Sequence, residues 1–498
     1  MFDTISISSV TRGTAAQFTA TECDAAVHGL RRQAPDCSAV GVLSSGQRIV
    51  FASLAVALIA AVIAAPVTTF LVLNVFFASY FLLAVGYRIF LMTVERKTPI
   101  ANTRASSDCD TDALPVITIL APLYRDAASL EGLAGAIDAL DYPQPKKDVK
   151  LLLEADDADT LREARRLGLD RRYEVIVAPN VGPRTKPKAC NFGLLRARGD
   201  IIVIYDAEDQ PETDQLLKAA AGFSSGHADL ACLQARLNYY NADENWLTRL
   251  FTLEYALWFD WLLPALQRLK APIPLGGTSN FFKTDILRGV GGWDPFNVTE
   301  DADLGLRLAR LGYRVEMLDS TTFEEANCKT DNWIRQRSRW IKGHMQTWLV
   351  HMRRPDAFIK QSGWHGLLSI QLFLAGNAIG ALVNPLLWGA FLYLTFVNGD
   401  GLGPNMPKAL QILNVLALII GNSFFILCAV AAPLKRGWRH LCIYGLTAPV
   451  YWLLTSLAAY KALWQIVFKP YYWEKTDHMI SAMATHRLVQ RPQSAPVQ

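Results

Sequence analysis

The uncharged stretch of residues 49–87 is the feature that most limits what this 498-residue chain can fold into. A helix needs about 20 consecutive apolar residues to cross the hydrocarbon core of a bilayer, and this stretch is long enough for two such helices. Pro66 lies inside it and marks the expected turn. The sequence therefore predicts a transmembrane helical hairpin.

Three further uncharged stretches lie near the C-terminus, at residues 366–399, 409–433 and 441–460. A long segment of ordinary globular composition separates them from the first stretch. Over the whole chain 51% of residues are hydrophobic and only 19% are charged, which is fewer than the roughly 25% charged residues of soluble domains. These features predict a membrane protein with one large soluble insertion.

Basic residues flank the first stretch on both sides and indicate its orientation. They are Arg31, Arg32 and Arg48 before it, and Arg88, Arg96 and Lys97 after it. Because short cytoplasmic flanks are rich in Lys and Arg, we expect a multi-pass protein of the inner membrane with the insertion in the cytoplasm. The net charge of +4 is small and no basic stripe is interleaved with aromatic residues, so no nucleic-acid partner is indicated.

The composition predicts seven segments along the chain. They are a flexible cytoplasmic tail (1–48), the helical hairpin (49–94), a linker (95–114), the globular domain (115–345), an amphipathic interface helix (346–364), C-terminal transmembrane helices (365–468) and a final segment (469–498).

The path of the C-terminal helices stays open at this point. Basic residues place the loop 433–440 in the cytoplasm, so one more span would leave the final segment outside. Either the stretch 366–399 is a hairpin broken at Asn384-Pro385, or part of 441–468 lies along the membrane surface.

The insertion alternates short apolar strands with helical patterns. The expected strands are 116–121, 149–154, 174–178 and 201–205, separated by helix-like segments of 10 or more residues. This alternation is typical of βαβ units and predicts an α/β, doubly wound, Rossmann-like parallel sheet. Ligands bind such sheets beyond the carboxyl ends of the strands.

Acidic residues follow three of these strands. They are Asp126, then Glu154, Asp156 and Asp157, then Asp206, Glu208 and Asp209. Carboxylates gathered at one edge repel each other unless a cation or a donor-rich ligand joins them. Asp206 and Glu208 lie two apart on extended chain, so both can reach the same side, and their hard oxygens suit Mg²⁺ or Mn²⁺.

Basic residues that could pair with a diphosphate lie in the segment 184–193. They are Arg184, Lys186 and Lys188. The chain has no GxxxxGK[ST] motif and no GxGxxG motif after a strand, which argues against a kinase, an ATPase or a dinucleotide-dependent enzyme.

Three acids lie at the expected start of a helix, after Thr299. Glu300, Asp301 and Asp303 are followed by leucines at helical spacing. Thr299 is a favoured N-cap residue and acids stabilise a first helical turn, so capping alone explains the pattern. The alternative is that one of these carboxylates removes a proton. The two interpretations are compatible, because Thr299 can cap the helix while Asp301 acts as a base.

The segment 331–348 predicts an amphipathic helix on which Trp333 and Trp340 share a face. Basic residues surround them, namely Arg335, Arg337, Arg339 and Lys342. The alternative to a functional helix is one that lies on an anionic membrane surface, with Arg and Trp at headgroup depth.

These patterns occur together and in order in one known family. Residues 115–345 resemble the catalytic domain of membrane-embedded family-2 glycosyltransferases of the cellulose-synthase-like group. The matching motifs are Tyr124-Arg125-Asp126, the acids 154–157, Lys188-Ala189-Cys190-Asn191, Asp206-Ala207-Glu208, Thr299-Glu300-Asp301 and Gln336-x-x-Arg339-Trp340.

The resemblance implies a GT-A-like fold and inverting transfer of a hexose from a UDP-sugar. It implies Asp301 as the general base and Asp206 and Glu208 as ligands of Mg²⁺ or Mn²⁺. The substrate-binding residues that it implies are Tyr124, Asp126, Glu154, Asp156, Lys188, Asn191, Glu300, Gln336, Arg339 and Trp340.

Two positions depart from the family pattern. The metal motif has Glu208 where an aspartate is usual, one methylene longer. The paired aspartates after the second strand read Glu154-Ala155-Asp156-Asp157, which leaves the register of the uridine contact open by one or two residues.

The segment 470–478 resembles the gating loop that closes over bound nucleotide in these synthases. Trp473, Lys475 and Thr476 are its candidate substrate-binding residues. The alternative is an anchor at the membrane interface, because Tyr471, Tyr472 and Trp473 suit an aromatic belt.

The family association favours a processive enzyme that polymerises a β-linked polysaccharide, such as a glucan or similar exopolysaccharide, and translocates the growing glycan across the bilayer. Polar and aromatic residues of the uncharged stretches could line a glycan path, namely Gln371, Asn377, Asn384, Trp388 and Trp452. One alternative is transfer of a single sugar to a polyprenyl phosphate or another lipid acceptor. A second is a transporter with a nucleotide-binding domain, against which no ionisable residue lies deep in an expected span.

Overall fold

A computed structural model of the chain describes residues 18–95, 111–398, 407–476 and 481. The globular domain contains an eight-stranded sheet in the described part of the chain. Its strands are β1 (Ile117–Leu123), β2 (Lys147–Glu154), β3 (Glu174–Ala178), β4 (Ile201–Ile204), β5 (Gln210–Pro211), β6 (Leu230–Tyr239), β7 (Asn280–Lys283) and β8 (Arg314–Glu324).

Seventeen α-helices are described in the same ranges. They are α1 (Ala20–Gln33), α2 (Ser45–Ala64), α3 (Pro66–Glu95), α4 (Leu130–Asp138), α5 (Ala158–Arg166), α6 (Lys186–Arg196), α7 (Gln215–Ser225), α8 (Trp246–Leu257), α9 (Leu263–Arg268), α10 (Thr284–Gly289), α11 (Glu300–Arg310), α12 (Thr330–His351), α13 (Pro355–Ser369), α14 (Gly376–Asn398), α15 (Lys408–Val415), α16 (Asn422–Ala431) and α17 (Ala448–Phe468).

The strand order is β3-β2-β1-β4-β7-β6-β8-β5. The first four strands are parallel to each other, as the sequence predicted. The sheet as a whole is mixed, because β7 runs antiparallel to both β4 and β6, and β5 runs antiparallel to β8. The prediction of an α/β fold is confirmed, whereas the prediction of a wholly parallel sheet was wrong.

Alternation along the central strands divides the core into two layers. Ile119 and Leu151 face one cluster of buried side chains, whereas their neighbours Leu120 and Leu152 face the other. Side chains of consecutive strand residues point to opposite faces, so a strand with apolar residues at every position is buried on both sides. Helices cover both faces of the sheet. They fix the position of the edge that is formed by the carboxyl ends of the strands.

The described part of the N-terminal segment is folded, which corrects the prediction of a flexible tail over residues 1–48. Helix α1 begins with a capping box between Thr19 and Glu22, and it buries Ala26, Val27 and Leu30 on one side. Glu22 also pairs with Arg196 of α6 at 2.8 Å. The short apolar stripe of α1 is too small to stand out in the sequence. Residues 1–17 lie outside the described residues.

Five helical segments in the described ranges are long and apolar enough to cross a membrane by length and composition. They are Ser45–Ala64, Pro66–Val94, Pro355–Gly389, Lys408–Arg436 and Arg439–Phe468. The first two form the expected pair, with α2 ending at Ala64 and α3 beginning at Pro66. The turn at Pro66 agrees with the sequence prediction.

The backbone is non-helical at Gly363, but the helical segment after it continues through Pro385 to Asn398, so the alternative of a hairpin broken at Asn384-Pro385 is wrong. Its last part is α14, which follows a short π-helical segment, Ile370–Ala375.

Helix α17 runs alongside the globular domain. Thr447, just before the helix, accepts a hydrogen bond from Trp246 of α8, 2.8 Å from Nε1 to Oγ1. Just after the helix, the backbone oxygen of Tyr472 accepts one from Lys342 of α12 at 2.6 Å. Its composition suits a span, and the contacts at both ends hold it against the domain.

Helix α12 differs from its expected limits. The predicted border between the domain and an interface helix, at residue 345, falls inside the helix. Trp333 is fully buried, with its ring centroid 4.9 Å from that of Tyr451 on α17. The helix therefore packs between the domain and α17 instead of lying free on a surface.

Candidate active site

A cavity of about 1400 Å³ opens where the loops after β1, β2 and β4 meet the first turn of α11 and the middle of α12. Most of the predicted site residues line it, although they are scattered over the sequence. They are Tyr124, Asp126, Glu154, Asp206, Glu208, Glu300, Asp301, Gln336, Arg339, Trp340, Trp473, Lys475 and Thr476.

Asp301 lies in the first turn of α11, where the backbone fixes its direction. Its Oδ1 accepts a hydrogen bond from the amide of Ala302 at 2.7 Å. Thr299 precedes the helix, but its side chain makes no capping hydrogen bond and instead lies against Thr347, with 3.4 Å between the hydroxyl oxygens. The prediction of a Thr299 side-chain cap is therefore wrong, although the three acids do lie in the first turn of the helix.

Burial changes the titration of both acids at this helix start. Burial raises the pKa of Asp301 to about 6, while the nearby Lys186 and Arg339 act in the opposite direction. Burial together with the charge of Asp301 raises the pKa of Glu300 to about 8. Of these two adjacent acids, Asp301 is therefore the one that ionises more readily.

Lys186 lies at the centre of the acidic edge. Its ammonium is 2.5 Å from Oδ1 of Asp206 and donates to the backbone oxygen of Gly277 at 2.6 Å. A Cβ atom at Gly277 would lie 3.4 Å from Oδ2 of Asp301 and 3.8 Å from Nζ of Lys186. Glycine at this position therefore leaves unfilled the space beside the Asp301 carboxylate and the Lys186 ammonium.

Asp206 and Glu208 follow β4 and both line the cavity. Mg²⁺ and Mn²⁺ are commonly held by one or two protein carboxylates together with substrate phosphate oxygens. The described residues contain no group of three or more His, Cys, Asp or Glu side chains arranged to hold a metal by themselves. This donor set therefore fits a divalent cation that binds together with a phosphate-bearing substrate.

The acids after β2 differ in their surroundings. Glu154 accepts a hydrogen bond from Lys188 at 2.7 Å, and burial raises its pKa. Asp156 accepts from the Tyr124 hydroxyl at 3.4 Å and from Arg184 at 2.8 Å. Glu154 therefore lines the cavity as half of a buried pair, whereas Asp156 lies at its more exposed rim.

Besides Asp156, which contacts the lining residues Tyr124 and Arg184 without lining the cavity itself, two predicted substrate-binding residues do not reach the cavity. Lys188 is fully buried behind Glu154. The amide of Asn191 donates to the backbone oxygens of Ala26 and Trp293, both at 2.9 Å, and its Oδ1 accepts from the amide of Trp293 at 3.0 Å. The placement corrects the prediction of direct substrate contact for both residues, since each holds its neighbours in place.

Helix α12 brings its motif residues to the opposite wall. The guanidinium of Arg339 lies 4.6 Å from the ring centroid of Trp473, while Gln336 accepts a hydrogen bond from Asn327 at 2.8 Å. The ring of Trp340 is packed between the guanidinium of Arg337, 5.1 Å from its centroid, and Tyr255. Trp340 therefore presents a fixed aromatic surface to the cavity.

The segment after α17 returns to the site. The Lys475 ammonium donates to the backbone oxygen of Tyr124 and to Oδ1 of Asp126, the latter at 3.1 Å. The hydroxyl of Thr476 is buried and has no hydrogen-bond partner in the described part of the chain. These contacts place Lys475 on the loop after β1, while Trp473 lies against Arg339 of α12. Residues 477–480 lie outside the described residues.

The sequence did not single out Glu324, which the structure places in the cavity wall. Glu324 ends β8, and burial together with the nearby Asp209 raises its pKa well above the usual range. It comes to the site through the pairing of β6 with β8, and no local pattern in the sequence indicates that pairing.

The cavity continues from these residues between the apolar helices. Of the polar and aromatic residues expected along a path, Asn377, Asn384, Trp388 and Trp452 line it. Gln371 does not, because its side chain accepts a hydrogen bond from Trp348 at 3.0 Å.

Residues 201–473 match the model of the family described as glycosyl transferase family group 2. The matched region is more than half of the chain. It includes Asp206, Glu208, Asp301, the α12 motif and Trp473.

Two relatives illustrate the similarity. A probable glycosyltransferase, YdaM of Bacillus subtilis (strain 168), is 26% identical over 53% of this chain. The β-monoglucosyldiacylglycerol synthase of Synechocystis sp. (strain ATCC 27184 / PCC 6803 / Kazusa) is 26% identical over 62% of it. The matches span 62% and 64% of the relatives' own lengths.

A solved structure shares the fold. The mannosyltransferase PcManGT from Pyrobaculum calidifontis, in complex with GDP-Man and Mn²⁺, superposes with a TM-score of 0.52 and 20% identity. The superposition covers 79% of this chain and 99% of that one. The domain therefore has a mixed α/β, GT-A-like fold.

Proposed function

This chain belongs to glycosyl transferase family group 2, and from that premise we propose that it transfers a hexose from a UDP-sugar to an acceptor, with inversion at C1. The observation that carries the proposal is the meeting of Asp301, Lys186, Asp206 and Arg339 around one cavity. We further propose that the enzyme is embedded in the inner membrane with this site in the cytoplasm, for which the five apolar helical segments are the support.

Asp301 is the proposed base. A sugar hydroxyl has a pKa far above neutral, so attack on C1 requires removal of its proton as the new bond forms. The Asp301 carboxylate is partly buried and held by the amide of Ala302, and it lies beside the open space at Gly277. The oxygen of the acceptor would attack from that side, and the bond from C1 to the diphosphate would break on the opposite face.

Positive charge stabilises the departing diphosphate. The Lys186 ammonium and the Arg339 guanidinium both lie near the acidic edge, and both are held in position before substrate binds. Asp206 and Glu208 would hold Mg²⁺ or Mn²⁺, which supplies further neutralisation of the phosphate oxygens when bound. Tyr124, Asp126, Glu154 and Asp156 are the proposed contacts of the nucleoside.

The acceptor is proposed to be a growing β-linked glycan, which would pass from the site into the space between the apolar helices. Trp340 and Trp388 offer flat faces on which sugar rings can stack, and both line the same cavity. A processive synthase needs such a continuous path between its site and the bilayer.

A lipid acceptor is the second candidate, because the part of the cavity between the helices is walled mostly by apolar side chains. In this case the enzyme would transfer one sugar to a lipid at the membrane surface. A relative named β-monoglucosyldiacylglycerol synthase is compatible with it.

The test is a screen of UDP- and GDP-sugars with the purified full chain in lipid nanodiscs, in which nucleotide release and radiolabelled product are both measured. The proposal expects UDP release with one UDP-hexose and a product of the opposite anomeric configuration. Polymer would support the processive form, and a single-sugar lipid would support the second candidate. Release of GDP alone, or retention of configuration, would overturn the proposal.

A further inference from the structure

Arg88 is a charged residue on the wall of the cavity, within the apolar helix α3. Its Nη2 donates a hydrogen bond to Oδ1 of Asn377 on α14, and its guanidinium carbon lies 4.9 Å from the ring centroid of Phe425 on α16. In the sequence Arg88 is the basic residue that directly follows the uncharged stretch, but the helix continues beyond it to residue 95.

Arg88 has no counter-charge in the ranges that the structure describes. No carboxylate there forms an ion pair with it, and Asn377 is the one hydrogen-bond partner of its side chain in those ranges. A guanidinium carries five N–H donors, so most of the donors of Arg88, which lines the cavity, are not used in those ranges. Ionisable groups inside apolar helices are costly, and they usually mark a binding site or a path.

The depth of Arg88 along α3 matches the headgroup region. The helix has 30 residues, so it is about 45 Å long, whereas the hydrocarbon core of a bilayer is about 30 Å thick. Arg88 lies about 10 Å from the end of the helix that leads into the globular domain. A group bound there would lie at the boundary between acyl chains and the domain.

The surroundings of Arg88 combine an anion-binding group with apolar walls. Phe77, Phe81 and Ile426 line the same part of the cavity. Arginine binds phosphate through paired hydrogen bonds, while the apolar side chains suit an aliphatic chain. A ligand that satisfies both has a phosphate head and a hydrocarbon tail.

We propose that Arg88 and Asn377 bind the phosphate of a phosphorylated lipid whose tail lies among the apolar helices. The binding site stands on its own geometry. Only the role of that lipid as the acceptor rests on the proposed function. The support for this role is that the same cavity reaches Asp301 and Trp340.

The test measures binding of dodecyl phosphate to the purified full chain in a non-ionic detergent, by titration calorimetry in the presence of saturating UDP. Dodecanol and inorganic phosphate are the comparison ligands. The variants are Arg88→Gln, Asn377→Ala and Arg88→Lys, and the control is Arg48→Gln, because Arg48 is exposed and bonds only Ser45 of its own helix.

Dodecyl phosphate is expected to bind at least tenfold more weakly to Arg88→Gln, and several-fold more weakly to Asn377→Ala. Arg88→Lys should keep part of the affinity and Arg48→Gln all of it. Equal binding by Arg88→Gln, or equal binding of dodecanol or inorganic phosphate to the wild type, would overturn the inference. UDP affinity measured on the same samples reports separately on folding and on the proposed donor site.

Discussion

At the scale of single residues, the two lysines of the segment 184–193 have different surroundings. Lys186 reaches Asp206 in the cavity, and Asp206 keeps a third of its side chain exposed (32%). Lys188 is fully buried and pairs with Glu154, which is only 9% exposed. The first lysine is therefore placed to bind substrate and the second to hold the fold.

Matched substitutions separate these roles. Lys186→Met should leave thermal stability nearly unchanged and weaken UDP binding about 10- to 100-fold, because a charge-assisted contact to the diphosphate is lost. Lys188→Met should lower the free energy of unfolding by about 3–5 kcal/mol, because it leaves a buried carboxylate without its partner. Unfolding followed by tryptophan fluorescence and UDP titration measure the two effects. The opposite pattern would exchange the two assignments.

The pKa of Asp301 predicts the pH dependence of turnover. Its carboxylate acts as a base only when ionised, so kcat/KM should rise with pH around a midpoint of about 6 and then level off. Because Lys186 lowers this pKa, the midpoint in Lys186→Met should move to higher pH. A pH–rate profile of UDP release measures both midpoints. A profile that is flat between pH 5 and 8 would contradict the assignment.

The sequence indicated which acidic residues lie at the strand ends, but it did not indicate the contacts that individual side chains make. The acidic residues at the strand ends were found because parallel strands share one carboxyl edge. The orientation of Asn191 and Thr299 could not be predicted, since each is set by a partner distant in sequence or by packing against another helix, namely Trp293 and Thr347.

At the scale of elements, the position of Asp301 depends on how closely α11 and α12 approach. Gly343 of α12 lies against Thr299, and a Cβ atom there would come within 2.4 to 2.8 Å of three atoms of the Thr299 side chain. Thr299 is itself buried. A side chain at residue 343 must therefore push the start of α11 away from α12.

Gly343→Ala should lower the free energy of unfolding by about 1–3 kcal/mol, as overpacking in cores does, and reduce turnover by shifting Asp301 relative to Arg339. Gly132→Ala in α4 is the control, because a Cβ there meets no heavy atom within 4 Å, and it should raise stability by about 0.5–1 kcal/mol. Thermal unfolding of the two variants provides the comparison. Equal midpoints would argue against this packing.

Several elements could be read from the sequence and others could not. The first four strands and the pair α2 and α3 follow from long local patterns of apolar residues. Helix α1 was missed because its apolar stripe is short, and the course of α17 was left open because its composition suits both a span and a surface helix.

At the scale of the whole molecule, the acidic edge, the opposite wall of α12 and the segment after α17 close around one cavity. The sequence indicated which residues belong to this site. It could not indicate how β6, β7 and β8 complete the sheet, because strand order beyond the parallel unit depends on contacts between distant segments.

A divalent cation is expected to be required for this closed site to work. Chelation with EDTA should abolish UDP release, and added Mn²⁺ or Mg²⁺ should restore it. Asp206→Asn should weaken the dependence of UDP binding on the metal. The control is Asp159→Asn, because Asp159 is an exposed residue whose carboxylate pairs with Arg162 on the surface of α5. Undiminished activity after chelation would exclude the proposed metal role of Asp206 and Glu208.

The most direct test of the account is the single-turnover rate of UDP release by Asp301→Asn, measured together with its UDP dissociation constant. The account predicts a loss of about 10²- to 10⁴-fold in rate, with UDP binding unchanged, because the substitution removes only the base. Turnover at the wild-type rate would contradict it and would leave Asp301 as no more than a buried acid at the start of α11.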